Sequence, residues 1–219
     1  MTDRRARARP PRRAVDLRPV IVTVAAGARW VRFIKTGHRD ALGAGLAPSC
    51  FSDPILDRGA SPRWLPIYLG QSFTLCLQET VLRDRANATP PGPFLISRSE
   101  LASWDWAQIE VVEDLRVADL REAALTHSRV PTDVVGASDQ RLARVWAAAF
   151  YRYPEKLDGI VFPSRFRTGD CLALFQTRVT SKLRVSERRA LLESPVQLGQ
   201  ACSALDLAIV ADPLRGPPK

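Results

Sequence analysis

The apolar residues of this 219-residue chain fall into short runs, and only two stretches carry them at helical spacing over several turns. That pattern narrows the fold more than any single motif. A doubly wound sheet needs a helix between successive strands, whereas here strand-like runs follow one another with loops between them. Val20 to Val24 and Trp30 to Ile34 are β-branched or aromatic and are bounded by Gly27 and Gly37, so they read as strands. Ile67 to Leu69 reads as a short buried strand that Gly70 ends. Phe94 to Ser97, Ile109 to Val112, Leu115 to Leu120, Gly159 to Phe162, Cys171 to Phe175 and Leu207 to Val210 follow the same pattern. Ser72 is an N-cap candidate for a helix running to about Asp84, and the residues from Asn87 to Pro93 read as a turn. Asp139 to Arg152 predicts a second helix, with Arg141 and Arg144 on its outer side, and a shorter one is expected near Arg188 to Glu193. The order predicts an α+β fold. Neither GxGxxG nor GxxxxGK[ST] occurs, so dinucleotide-binding and P-loop folds lack support.

Net charge is +9, from 32 basic and 23 acidic residues. Clustered arginine suggests nucleic acid, but the distribution argues otherwise. Residues 1 to 19 hold seven arginines against Asp3 and Asp16, a local +5 that leaves only +4 for the remaining 200 residues. That head lacks apolar periodicity and reads as a flexible tail, with a single domain expected over residues 20 to 219. Val20 to Ala28 after the arginines imitates a short export signal, yet WVRFI continues as the next strand of the same domain. No run approaches the ~20 apolar residues of a membrane span. A cytoplasmic protein is expected. Cys50, Cys76, Cys171 and Cys202 are widely spaced, form no CxxC pair and have only His38 and His127 as co-ligands, so reduced thiols and no metal site are expected.

Several residues carry chemical interest. Lys35 to Pro66 is a glycine-, proline- and serine-rich stretch far longer than ordinary loops, and such loops are functional or disordered. Glu79 stands on a helix that is apolar nearly all round, where an ionised carboxylate is expensive unless it is paired or used. A helix-edge carboxylate paired with Arg83 or Arg32 is the plainer alternative. Arg32 alternates with Trp30 and Ile34 on one strand face, positioned either to hold an anion with its planar fork or to reach water. Ser164 follows an apolar strand and opens the polar loop PSRFRTGD, where it is a hydrogen-bonding or turn serine rather than a nucleophile. Tyr68, in a buried strand, can stack on a ligand ring or belong to the core.

In order and spacing, WVRF (30 to 33), PSCFSDP (48 to 54), IYLG (67 to 70), LCLQETVLRD (75 to 84) and DGIVFPSRFRTGDCLALF (158 to 175) resemble the RES family. That family, named for an arginine, a glutamate and a serine, consists of toxins of bacterial toxin-antitoxin modules. The resemblance implies an ADP-ribosyltransferase-like fold in which split β-sheets grip NAD in a cleft, and cleavage of the nicotinamide-ribose bond by phosphorolysis or hydrolysis. ADP-ribosyl transfer to a protein is the alternative outcome. Carried over, Arg32 binds the NAD phosphates and takes part in catalysis, Tyr68 packs near the nicotinamide or its ribose, Glu79 is the catalytic carboxylate and Ser164 hydrogen-bonds the ligand. The implied partner is a cognate antitoxin that covers the cleft and often brings the DNA-binding domain. Homodimerisation is left open. At PSCFSDP the family usually has an arginine in place of Cys50. Either Arg39, Arg58 or Arg63 of the same loop substitutes for it, or the chain is a non-catalytic binding member.

Overall fold

A computed structural model of the chain describes residues 10, 13–83 and 92–212. Its strands are β1 Ile21–Val24, β2 Arg29–Lys35, β3 Pro66–Gly70, β4 Phe94–Ser97, β5 Trp104–Val111, β6 Leu115–Asp119, β7 Gly159–Pro163, β8 Asp170–Phe175, β9 Leu183–Ala190 and β10 Leu207–Val210. Eight of them build one curled sheet in the order β1-β6-β7-β8-β3-β2-β5-β9, and β4 and β10 pair in parallel as a small second sheet. All neighbours in the large sheet are antiparallel except β6 and β7. The helices that matter for the site are α1 Phe73–Leu77, continued by a π-helical turn Gln78–Leu82, then α2 Arg98–Ala102, α3 Glu122–His127, α4 Asp133–Gly136, α5 Arg141–Tyr151, α6 Gln176–Val179 and α7 Pro195–Leu205.

Period-two alternation explains the layering, because successive strand residues face opposite sides of the sheet. Leu172 and Leu174 of β8 join Val117, Val161, Ile67, Leu69, Ile34 and Ile109 in a core enclosed by the concave face. Ala173 and Phe175 point the other way and pack with Trp146 and Phe150 of α5. On the opposite half, Phe33 and Trp106 meet Phe73 and Leu77 of α1 and Leu198 and Ala201 of α7. The large sheet therefore has one inner core and two separate outer ones.

The sheet is weakest in its middle. β2 shares seven register pairs with β5, and β3 shares five with β8, but β2 and β3 meet only at Val31 and Gly70. Beyond that pair the two halves diverge, which gives the split expected from the family resemblance. Helix α1 is wedged at the opening. The Cys76 thiol donates to the Val31 carbonyl at 3.1 Å, and a Cβ added to Gly70 would lie 2.8 Å from the Cys76 sulfur. Glycine is favoured there because a side chain would press on the Cys76 thiol and force it to shift.

Several expectations change. Arg188 to Glu193 is not a helix: β9 pairs with β5 from Leu183 to Ala190 and only Leu191–Glu193 forms a 3-10 turn. Helix-forming residues yield here to a tertiary pairing partner. The C-terminal helix is α7, opened by Pro195 in its first turn. The helices α2, α3 and α4 are too short to show a period. Arg144 is not on the outer side of α5; it is 8% exposed and its Nε donates to Asp57 at 3.0 Å. Leu17, inside the stretch expected to be a tail, is 2% exposed and belongs to the outer core of α5. Ser72 does cap α1, accepting from the Leu75 amide at 3.1 Å. Asp84, most of the Asn87 to Pro93 turn and most of the arginine-rich head lie outside the described residues.

Candidate active site

A cavity of about 230 Å³ opens where the half-sheets part. Arg32 and Phe33 of β2 form one wall and Tyr68, Leu69 and Gly70 of β3 the other. Leu75, Cys76, Glu79, Thr80 and Arg83 enter from α1 and its extension. Ser49, Cys50 and Phe51 of the long loop, Val134, Val135 and Ala137 in and after α4, Gln140 and Ala143 at the start of α5, and Phe162, Pro163, Arg165 and Cys171 complete the lining. A largely apolar hollow with a few convergent polar groups is the usual form of a small-molecule site.

Glu79 lies on the π-helical turn, half-buried, inside this cavity. Such turns widen the helix by one residue and recur at functional sites. The Thr80 hydroxyl bonds the Cys76 carbonyl within the same turn, a local competitor of the regular ladder. The carboxylate is fixed from outside: its Oε1 accepts the backbone N–H of Arg165 at 2.8 Å. Neighbouring bonds hold the same loop in place. The Thr168 hydroxyl donates to Gln78 Oε1 at 2.8 Å and the Asp170 amide to Gln71 Oε1 at 2.9 Å. The plainer reading of Glu79, an ion pair with Arg83 or Arg32, is absent among the described residues.

Arg32 is on the concave face, as its alternation with Trp30 and Ile34 requires, and its fork is engaged. Nη1 donates to the Ala41 carbonyl at 2.7 Å and Nη2 to the Gly43 carbonyl at 2.6 Å. Burial pulls its pKa down to about 10, against a smaller opposing pull from Asp40. The long loop thus folds over the arginine rather than leaving it to solvent. Tyr68 sends its ring to the cavity while its hydroxyl donates to Ser49 Oγ at 3.0 Å and accepts the Phe51 amide at 2.9 Å. Burial pushes this phenol far above its ordinary range.

Arg32, Tyr68 and Glu79 therefore share one pocket, and Ser164 does not line it. Ser164 is 3% exposed, and its Oγ accepts the amides of Phe166 at 3.1 Å and Thr168 at 3.4 Å. It organises the loop whose next amide holds Glu79. Arg167, at φ 54°, and Gly169, at φ 150°, take left-handed conformations that let the loop turn back. Of the three arginines proposed to stand in for Cys50, none lines the cavity; Arg63 is locked on Asp53 by bonds of 2.8 Å from Nε and Nη2. Besides Arg32, the arginines that line it are Arg83, named in the sequence only as a partner for Glu79, and Arg165, which the sequence did not single out. Arg83 Nη2 lies 3.7 Å from the Cys50 sulfur. Cys171 lines the floor, its thiol pushed up to about 12 by burial first and then by Glu79 and Asp170. All four cysteines are free.

The fold and site define a class: an α+β cleft protein in which a helix-borne carboxylate faces an arginine and a tyrosine across a parted sheet. Residues 24–193 match the model of the RES domain, and the chain belongs to that family. It is 33% identical over 129 residues, 59% of this chain and 100% of the relative, to the probable toxin y4kH of Sinorhizobium fredii (strain NBRC 101917 / NGR234). In structure it is similar to a chain of the M. tuberculosis MbcT-MbcA toxin-antitoxin complex, with a TM-score of 0.57, 19% identity and coverage of 81% of this chain and 92% of that one. At that identity the likeness concerns the fold. Among the described residues no helix is long and apolar enough to cross a membrane.

Proposed function

We propose that the protein is the toxin of a toxin-antitoxin module and that it removes NAD by cleaving the bond between nicotinamide and ribose. The observation that carries this reading is Glu79, inside the cavity and held by the Arg165 amide. Departure of nicotinamide leaves positive charge on the ribose. A carboxylate fixed against a ribose hydroxyl stabilises that charge more than it stabilises the neutral sugar, which is the condition for raising the rate. The fixed orientation avoids reorganisation at the moment of reaction. The Tyr68 ring and the apolar walls, Phe33, Phe51 and Phe162, receive the flat departing ring and exclude water from it. Arg32 supplies positive charge on the phosphate side, and Ser164 acts by shaping the loop that presents Arg165.

Family membership and the name of the rhizobial relative support the toxin role. A protein antitoxin that covers the cleft is the expected partner, in the cytoplasm where NAD is plentiful, with no direct nucleic-acid contact by this chain. Incubation of the purified chain with NAD labelled in the adenylate half, with and without phosphate, tests the reaction. Release of nicotinamide with free labelled ADP-ribose or its 1-phosphate is expected. Intact NAD overturns the proposal, and label retained on protein replaces cleavage by transfer.

A further inference from the structure

Among the described residues three hydroxyl groups line the cavity, those of Ser49, Tyr68 and Thr80, and their protons are spent differently. The Thr80 hydroxyl bonds the Cys76 carbonyl. The Tyr68 hydroxyl accepts the Phe51 amide and gives its proton to Ser49 Oγ at 3.0 Å. Ser49 Oγ is thus the acceptor in that pair, and its own proton meets no acceptor among the described residues. The turn that carries Ser49 is fixed. Ser52, 0% exposed, receives the Ser49 amide on its Oγ at 3.0 Å and returns its hydroxyl proton to the Ser49 carbonyl at 3.0 Å. Trp64 Nε1 donates to the Phe51 carbonyl at 3.2 Å.

We infer that Ser49 donates its hydroxyl proton to the carboxamide oxygen of the nicotinamide, and so selects a pyridinium that carries a carboxamide. This rests on the cleavage reading above and adds a specificity-determining residue to it. A ring received by Tyr68, Phe51 and Phe162 leaves water behind, and its carboxamide oxygen loses a hydrogen bond unless the wall returns one. Ser49 stands on that wall, at the hydroxyl end of Tyr68 and two residues from Phe51. The ionised Glu79 can only accept, and Ser164 turns its oxygen to its own loop. A hydroxyl that accepts from one partner donates more strongly to the next, because successive bonds polarise one another. Tyr68 therefore strengthens the donor beside it. The fixed turn presents that donor without an ordering cost on binding.

The test compares the full wild-type chain with Ser49→Ala and Ser49→Thr. It measures kcat/KM for NAD and for pyridine adenine dinucleotide, the same molecule without the carboxamide. Calorimetry follows ADP-ribose binding, and NMR titration follows free nicotinamide and pyridine. Ser49→Ala is expected to lower the preference for NAD over the analogue by roughly fivefold to tenfold, with ADP-ribose affinity unchanged. Ser49→Thr restores the preference, since it keeps the hydroxyl. The preference is a ratio within one protein, so a smaller folded fraction cancels from it. Equal effects on NAD and the analogue overturn the assignment, and so does a loss of ADP-ribose affinity, which moves the hydroxyl to the ribose or phosphates. A wild-type chain that leaves NAD intact sinks the cleavage reading instead, and the titration then decides Ser49. Weaker nicotinamide binding in Ser49→Ala with pyridine unaffected upholds the contact; equal binding by both proteins, or none by the wild type, overturns it.

Discussion

Glu79→Gln keeps the shape and removes the charge, so NAD cleavage is expected to fall roughly 10²- to 10³-fold while the melting temperature changes little. Arg32→Gln touches both, since it removes the positive charge proposed for the phosphate side along with two loop contacts. It deprives the Ala41 and Gly43 carbonyls of their donors, and urea denaturation should show a loss of roughly 1–3 kcal/mol together with easier proteolysis around residues 36–43. Asp53 adds a pH term. Burial alone raises its carboxyl, but the bonds from Arg63 and the Ile55 amide more than offset that and hold it below the usual range. Its stabilisation is present above the unfolded value of about 3.9 and fades as pH falls through the lower folded value. Asp53→Asn should flatten that acid limb in melts recorded as a function of pH. That Arg32, Tyr68 and Glu79 line one cavity followed from the resemblance to the RES family, since alternation and an isolated carboxylate alone left the plainer reading open for each. Arg83 and Arg165 were not legible as cavity residues, because arginines that follow a helix or open a loop look alike whether they face water or a cavity.

At the scale of elements, the contact between α1 and β3 decides where Glu79 stands. Gly70→Ala pushes a methyl group against the Cys76 sulfur, and thermal unfolding should register roughly 1–3 kcal/mol of overpacking along with reduced turnover. Cys76→Ala in the same chain empties that space and should return part of both losses, a coupling that a double-mutant cycle measures. Most strands were visible in the sequence because short apolar runs between glycines and prolines have few other uses. The π-helical turn was not, since Gln78–Leu82 carries the same composition as the α-helix before it, and only the docking of the 164–168 loop distinguishes the two. The segment at β9 was misread for a related reason: its arginines and glutamates suit a helix, and the edge of β5 that recruits them lies more than seventy residues away.

At the scale of the molecule, the α+β class followed from the order of runs, but the pairing did not. β1 and β2 are neighbours in sequence, yet they sit at the outer edge and toward the middle of the large sheet, with four strands between them. Nothing local encodes that separation. Amides of β2 and β3 that face each other across the divergence should exchange with deuterium sooner than those between β2 and β5, a contrast that native-state exchange reads directly. Equal protection on both flanks of β2 would contradict the open junction.

That junction also sets how the protein can yield. With one backbone rung between them, the flanks are tied mainly by the inner core that Ile34 and Ile109 share with Leu172 and Leu174, so a guest slipping between them disturbs backbone pairing at a single point while that common interior resists wider opening.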